Sequence, residues 1–106
     1  MIIFAKIRRN IQFIEIIIDD EKSIFMRNGK TEKINILKFL TEFNSIVNSW
    51  PEYVEEKSRD FHHEESYEIK IFNNDKLQKK YIGINAKPHN YCKFIRLMEG
   101  DVYVRS

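Results

Sequence analysis

The spacing of apolar residues changes three times along this chain, and the changes limit what it can fold into. Up to residue 34 the apolar positions come in short runs dense in β-branched and aromatic residues, the signature of strands: Ile2 to Ile7, Ile11 to Ile18, Ser23 to Arg27 and a brief Thr31 to Ile34. From Ile36 to Trp50 the period is 3.6, from Tyr67 to Asn85 it returns to two, and from Tyr91 to Met98 it is helical again. Two amphipathic helices in such an order must bury their stripes on one face of an antiparallel sheet. The expected architecture is therefore a two-layer α+β fold, β-β-β-α-β-β-α, in a single domain over residues 1–106, with 101–106 a frayed tail or a short added strand.

Local signals place the boundaries. Ile14, Ile16 and Ile18 face one way and Ile11, Phe13, Glu15 and Ile17 the other, so the second strand is apolar on both faces and is expected to be central. Asn28-Gly29 is a hairpin signal, because both residues tolerate positive φ. Ile36, Leu37, Leu40, Phe43, Val47 and Trp50 form the stripe of the first helix, with Asn35 its N-cap, Ile34 and Phe39 a staple, and Pro51 ending it at Trp50. Tyr67, Ile69 and Ile71 alternate with Glu68, Lys70 and Phe72, and Asn73-Asn74-Asp75 turns the chain back through Lys79 to Asn85. In the second helix Tyr91, Phe94, Ile95 and Met98 share a face, Asn90 is a candidate cap and Gly100 a natural C′ residue.

A chain of 106 residues with 42% apolar content can bury a core without a disulfide or a metal. The longest apolar run, Met1 to Ala5, is followed at once by Lys6, Arg8 and Arg9, so neither a membrane span nor a signal peptide is expected. A lone cysteine, Cys92, agrees with a reducing compartment, and a cytoplasmic location is the expectation. The net charge of +2 is too small to steer the whole molecule, but its distribution is uneven. Residues 52–68 hold seven acids against Lys57 and Arg59, a balance of −5; residues 69–96 hold seven bases against Asp75, a balance of +6.

The strand Tyr67-x-Ile69-x-Ile71 and the segment Gly83-x-Asn85-Ala86-x-Pro88-x-Asn90-Tyr91 before a helix resemble a loosely defined group of small proteins of low-GC bacteria that share a G-x-N-A-x-P-x-N-[FY] pattern. The resemblance covers about residues 34 to 99. It implies a fold more than an activity, and similar small proteins occur as toxin-immunity proteins and in phage-borne or mobile regions. Asn74-Asp75-Lys76 stands where the group usually has a glycine turn, and Tyr67 where tryptophan is common.

Four sets of residues are candidates for chemistry. His62, His63, His89 and Cys92 carry zinc-ligand atoms and fall at one end of the expected hairpin, but adjacent histidines seldom reach one ion, and neither metal nor cofactor is expected. Cys92 near a helix start with His62 or His63 as base lacks any supporting oxyanion loop, and no enzyme is expected. Lys70, Phe72, Lys76, Lys79, Lys80, Tyr81 and Lys87 interleave bases with aromatics, the composition of a single-stranded nucleic-acid binder. Glu52, Tyr53, Glu55, Glu56, Asp60, Phe61, Glu64, Glu65 and Tyr67 combine acids with aromatic anchors, the composition of a surface that docks a basic protein. The expectation is a non-catalytic protein-binding module, an inhibitor or immunity protein that blocks a bacterial toxin or defence nuclease, with nucleic-acid binding as the alternative. No membrane partner is expected, and a homodimer through an exposed strand edge is a further candidate assembly.

Overall fold

In the computed structural model, which describes residues 1–9, 11–55 and 65–100, alternation and turn chemistry build one mixed sheet and 3.6-residue periodicity builds two helices. In chain order the elements are β1 (Ile2–Arg9), β2 (Gln12–Asp19), β3 (Ile24–Arg27), β4 (Lys30–Thr31), α1 (Ile36–Val47), β5 (Tyr53–Glu55), β6 (Glu65–Asn73), β7 (Lys76–Ile84) and α2 (Tyr91–Glu99). Among the described residues the sheet order is β4-β3-β2-β1-β6-β7-β5. The fold is α+β, and all pairings are antiparallel except β5 with β7.

Turn residues fix the registers. Asn28 and Gly29 sit at φ 50° and 80°, the doubly positive geometry of a tight hairpin turn. Asn28 also exchanges two bonds with Glu15, its amide donating to the Glu15 carbonyl and its Oδ1 accepting from the Glu15 amide, each at 2.8 Å. The β6–β7 hairpin turns on Asn74 and Asp75 at φ 53° and 62°, so short polar side chains that tolerate the left-handed region replace glycine there. β2 is an interior strand as expected, flanked by β1 and β3; β1 itself occupies the middle of the sheet, paired with both β2 and β6.

Both helices pack on one face. Ile3, Ala5 and Ile7 of β1, Ile16 and Ile18 of β2, Phe25 of β3, Tyr67 and Ile69 of β6 and Tyr81 of β7 point into that face, where they share one cluster with Phe39, Leu40, Phe43, Ile46 and Val47 of α1 and Phe94, Ile95, Leu97 and Met98 of α2. An aromatic series runs through the cluster: Phe25 to Phe39 at 5.1 Å, Phe39 to Phe43 at 6.2 Å, Phe43 to Phe94 at 6.3 Å and Phe94 to Trp50 at 5.0 Å between ring centres. Pairs at these separations add to the burial of the rings themselves.

Three helix expectations change. Asn35 does cap α1, its Oδ1 accepting from the Lys38 amide at 3.1 Å, but the helix ends at Val47 rather than Trp50. The Trp50 amide folds back to the Val47 carbonyl, which swings the indole into the core. Leu37, expected in the buried stripe, is 77% exposed, because the face that meets the sheet runs through Phe39, Leu40, Phe43 and Val47. Asn90 makes no side-chain cap and instead takes a left-handed conformation at φ 63°. At the other end of α2, Gly100 at φ 85° closes the helix, its amide donating to the Arg96 and Leu97 carbonyls. Arg27 adds a second closure: its Nε donates to the Met98 carbonyl at 2.9 Å while its guanidinium pairs with Glu32.

The acidic stretch begins with a strand that the expected element order does not contain. Its start, Tyr53–Glu55, is a short parallel edge strand opposite Ile82–Ile84. The signal for it is weak in sequence, since only Val54 is apolar and aliphatic, and the strand is held by pairing, with the Ile82 amide donating to the Glu52 carbonyl at 2.8 Å.

Candidate protein-docking surfaces

The segment 83–91 is built for packing. A Cβ on Gly83 would lie 2.0 Å from the Tyr67 ring, so only glycine lets that ring cross from β6 over β7. Asn85 at φ 52° turns the chain off the sheet and closes on Glu65, its amide donating to the Glu65 carbonyl at 2.6 Å and its Oδ1 accepting from the Glu65 amide at 3.1 Å. Ala86 is buried, the Pro88 carbonyl accepts from the Tyr91 amide, and the His89 carbonyl accepts the Trp50 indole N–H at 2.7 Å. Gly83, Asn85 and Tyr91 of the pattern thus tie β7 and the start of α2 to β6, and His89, at a variable position, holds Trp50 just beyond α1.

Glu65 starts β6 beneath this segment and is a structural acid. Its carboxylate accepts from Arg9 Nε at 3.4 Å and from the Tyr91 hydroxyl at 3.0 Å, while Arg9 also reaches Glu99 at 3.2 Å. Burial, and then the negative Glu65 carboxylate, push the Tyr91 phenol well above its ordinary range. A carboxylate engaged on both oxygens has little left to offer a partner, so Glu65 leaves the acidic docking set.

Tyr67 leaves it too. It is buried against Trp50, 4.9 Å between ring centres, and burial alone raises its phenol. Its hydroxyl finds no hydrogen-bond partner among the described residues. Of the rest of that set, Glu52, Tyr53 and Glu55 lie exposed together on the β5 edge. Tyr53 is 57% exposed, and its hydroxyl donates to Glu55 Oε2 at 2.6 Å, a bond that raises its pKa. Glu56, Asp60, Phe61 and Glu64 lie outside the described residues.

Among the basic set, Lys76, Lys79, Lys80 and Lys87 are exposed, Lys70 and Phe72 are half-buried, and Tyr81 is buried. Tyr81 therefore offers no free ring for a base to stack on; Lys79 lies 6.0 Å from its centre. Lys76 to Tyr81 form the part of β7 that β5 does not reach, and lysines on such an edge oppose strand-to-strand association. His89 and Cys92 are exposed, His62 and His63 lie outside the described residues, and no group of three or more potential metal ligands occurs among the described residues. No described helix is long and apolar enough to cross a membrane.

The feature missed in sequence is the second face of the sheet. Phe4 and Phe13 stand 40% and 59% exposed there, with Ile2, Ile17, Phe72, Ile82 and Ile84 half-buried around them. Strict alternation could have found it, since the odd positions of β1 and the even positions of β2 face the helices, leaving these residues on the far side. The chain matches no family model, no curated protein and no solved structure.

Proposed function

We infer that this chain is a small non-catalytic protein-binding module, an inhibitor or immunity protein that works in the cytoplasm by covering a bacterial toxin or defence nuclease. The observation that carries this reading is the β5 edge. There an exposed aromatic, Tyr53, is held in place by Glu55 and stands beside Glu52, so an anchor with a prearranged hydroxyl sits within a negative rim. A basic partner would be steered by the acids and anchored by the ring, and the cost of ordering Tyr53 is already met by its bond to Glu55. The resemblance of residues 34 to 99 to a loosely defined group of small bacterial proteins, similar to some that act as immunity proteins, agrees with the same reading.

The test is capture from the native host with the tagged chain, with and without nuclease, compared with a Glu52→Lys, Tyr53→Ala, Glu55→Lys variant. A stoichiometric protein retained after nuclease treatment and lost with the variant is the expected result. Recovery of nuclease-sensitive material alone, reduced by Lys79→Ala and Lys80→Ala, would replace this reading with nucleic-acid binding through the β7 edge.

A further inference from the structure

On the sheet face opposite the helices, β1 and β6 lie side by side with Ala5 opposite Ile69, and three pairs of groups on either side of that point are complementary, while the flanking pairs Arg8 and Ile2, Glu15 and Ile17, and Lys80 and Ile82 set a charge against an aliphatic side chain. One residue away along β6 stand Glu68 on one side and Lys70 on the other, already 3.4 Å apart. One residue away along β1 stand Lys6 and Phe4. Three residues away along β6 stand Ser66 and Phe72. Phe72, half-buried, meets Phe4 edge to face with 5.7 Å between ring centres, whereas Ser66 lines a hollow of about 290 Å³ together with Lys6, Arg8, Phe13, Glu68, Ile82 and Ile84. A site of roughly 150 Å³ already admits benzene, so this hollow has room for a phenyl ring.

A two-fold axis lying in the plane of the face, perpendicular to the strands and crossing them at Ala5 and Ile69, exchanges the two members of every one of these pairs. It sets Glu68 against Lys70 of a second copy, Lys6 against the Phe4 ring of the second copy, and the Phe72 ring over the Ser66 hollow of the second copy. From this match of charge to charge and ring to hollow we propose that the open face of the sheet is a homodimer interface with that two-fold axis.

Charge selects the occupant. On the four strands that would meet, Lys6, Arg8, Lys70 and Lys80 stand with Glu15, Asp19 and Glu68, so the face carries both signs in near balance and does not strongly repel its own copy. Within each copy Glu68 and Lys70 are neighbours, and the axis joins the two pairs into a ring of four alternating charges. The β7 edge is the opposite case, because Lys76, Lys79 and Lys80 would meet their own copies there; the edge-to-edge dimer that the sequence leaves as a candidate is disfavoured at this edge by the same reasoning. Four strands of eight or nine residues at about 4.8 Å spacing and 3.3 Å rise span roughly 500 Å², which belongs with concentration-dependent rather than permanent dimers. Sheets packed face to face cross at about 30°, which tilts the axis about 15° from the perpendicular; this leaves the Glu68–Lys70 contacts, one residue from the axis, nearly in place and carries Phe72 about one strand spacing sideways over a hollow that spans β2 to β7.

Sedimentation velocity across about 1 µM to 1 mM tests the pairing. The chain is expected to pass from one copy to two within that range. Lys70→Glu and Glu68→Lys alone each place like charges across the axis and are expected to raise Kd at least about tenfold. An equimolar mixture of the two variants restores both pairings and regains the two-copy species as a heterodimer. Ser66→Trp fills the hollow and is expected to hold the chain monomeric while its circular dichroism stays that of the parent. A parent that is monomeric throughout, a dimer indifferent to these substitutions, or folded single variants whose mixture stays monomeric would each overturn the proposal. None of these variants touches Glu52, Tyr53 or Glu55, so capture of a foreign protein reads out separately.

Discussion

Both faces of the sheet carry large apolar residues, but only one of them buries them almost completely. On the helix side Ile3, Ala5, Ile7, Ile16, Ile18, Phe25 and Ile69 are almost fully out of water; on the other side Phe4 and Phe13 stand largely exposed. Alternation in a strand decides which residues share a face, but only the connections decide which face is covered, and here both helices return to the same side. Among the described residues, stability is therefore concentrated on the side of the sheet that meets the helices.

Substitutions across this divide should separate sharply. Phe43→Ala or Phe94→Ala, each opening a void in the aromatic series, is expected to cost about 3–5 kcal/mol in urea unfolding, enough to unfold a marginal domain. Phe4→Ala or Phe13→Ala at low protein concentration is expected to cost less than about 1 kcal/mol. Comparable losses from both faces would mean that the open side is covered in solution even when the protein is dilute. Gly83→Ala comes next, expected to cost about 1–3 kcal/mol because its Cβ drives into the Tyr67 ring; Tyr67→Ala in the same chain should remove that clash and make the pair less than additive.

Alkaline titration sharpens the comparison further. The Tyr91 and Tyr67 phenols on the covered side have folded pKa values raised above the unfolded value near 10, so the folded state holds those protons more tightly. Their contribution is complete below pH about 10 and is lost as pH rises from there through the folded values, at up to about 1.4 kcal/mol per pH unit for each tyrosine. Urea midpoints between pH 9 and about 11.5 should fall along that slope, and Tyr91→Phe should flatten it. The smallest effect has the opposite sign: Tyr67→Phe removes a buried hydroxyl without a described partner and is expected to gain up to about 1 kcal/mol.

Much of this arrangement was legible. The Asn28-Gly29 turn, the Asn35 cap, the β6–β7 hairpin and the Gly100 stop follow from local chemistry, and local chemistry survives folding. One residue and one strand show what composition and local pattern leave out. Tyr67 shares its face with Ile69 and Ile71 and belongs to the core by period, yet a run of neighbouring acids placed it among surface anchors; the period was the better guide. β5 was illegible for a different reason, since a three-residue parallel edge strand draws its order from a partner some thirty residues away. The Ser66 hollow and the Phe4–Phe72 pair needed the register of β1 against β6, which no local pattern contains.

The central position of β1 has a consequence in time. During synthesis β1, β2 and β3 can pair as soon as they emerge, but the other edge of β1 must wait for β6, whose first residue follows the last of β1 by more than fifty positions. At roughly 5–20 residues per second this leaves several seconds in which the strand destined for the middle of the sheet is an open border. The nascent chain is thus most exposed to mispairing where the finished protein is most secure, and conditions that slow translation between residues 9 and 65 should lower its yield more than conditions that slow it afterwards.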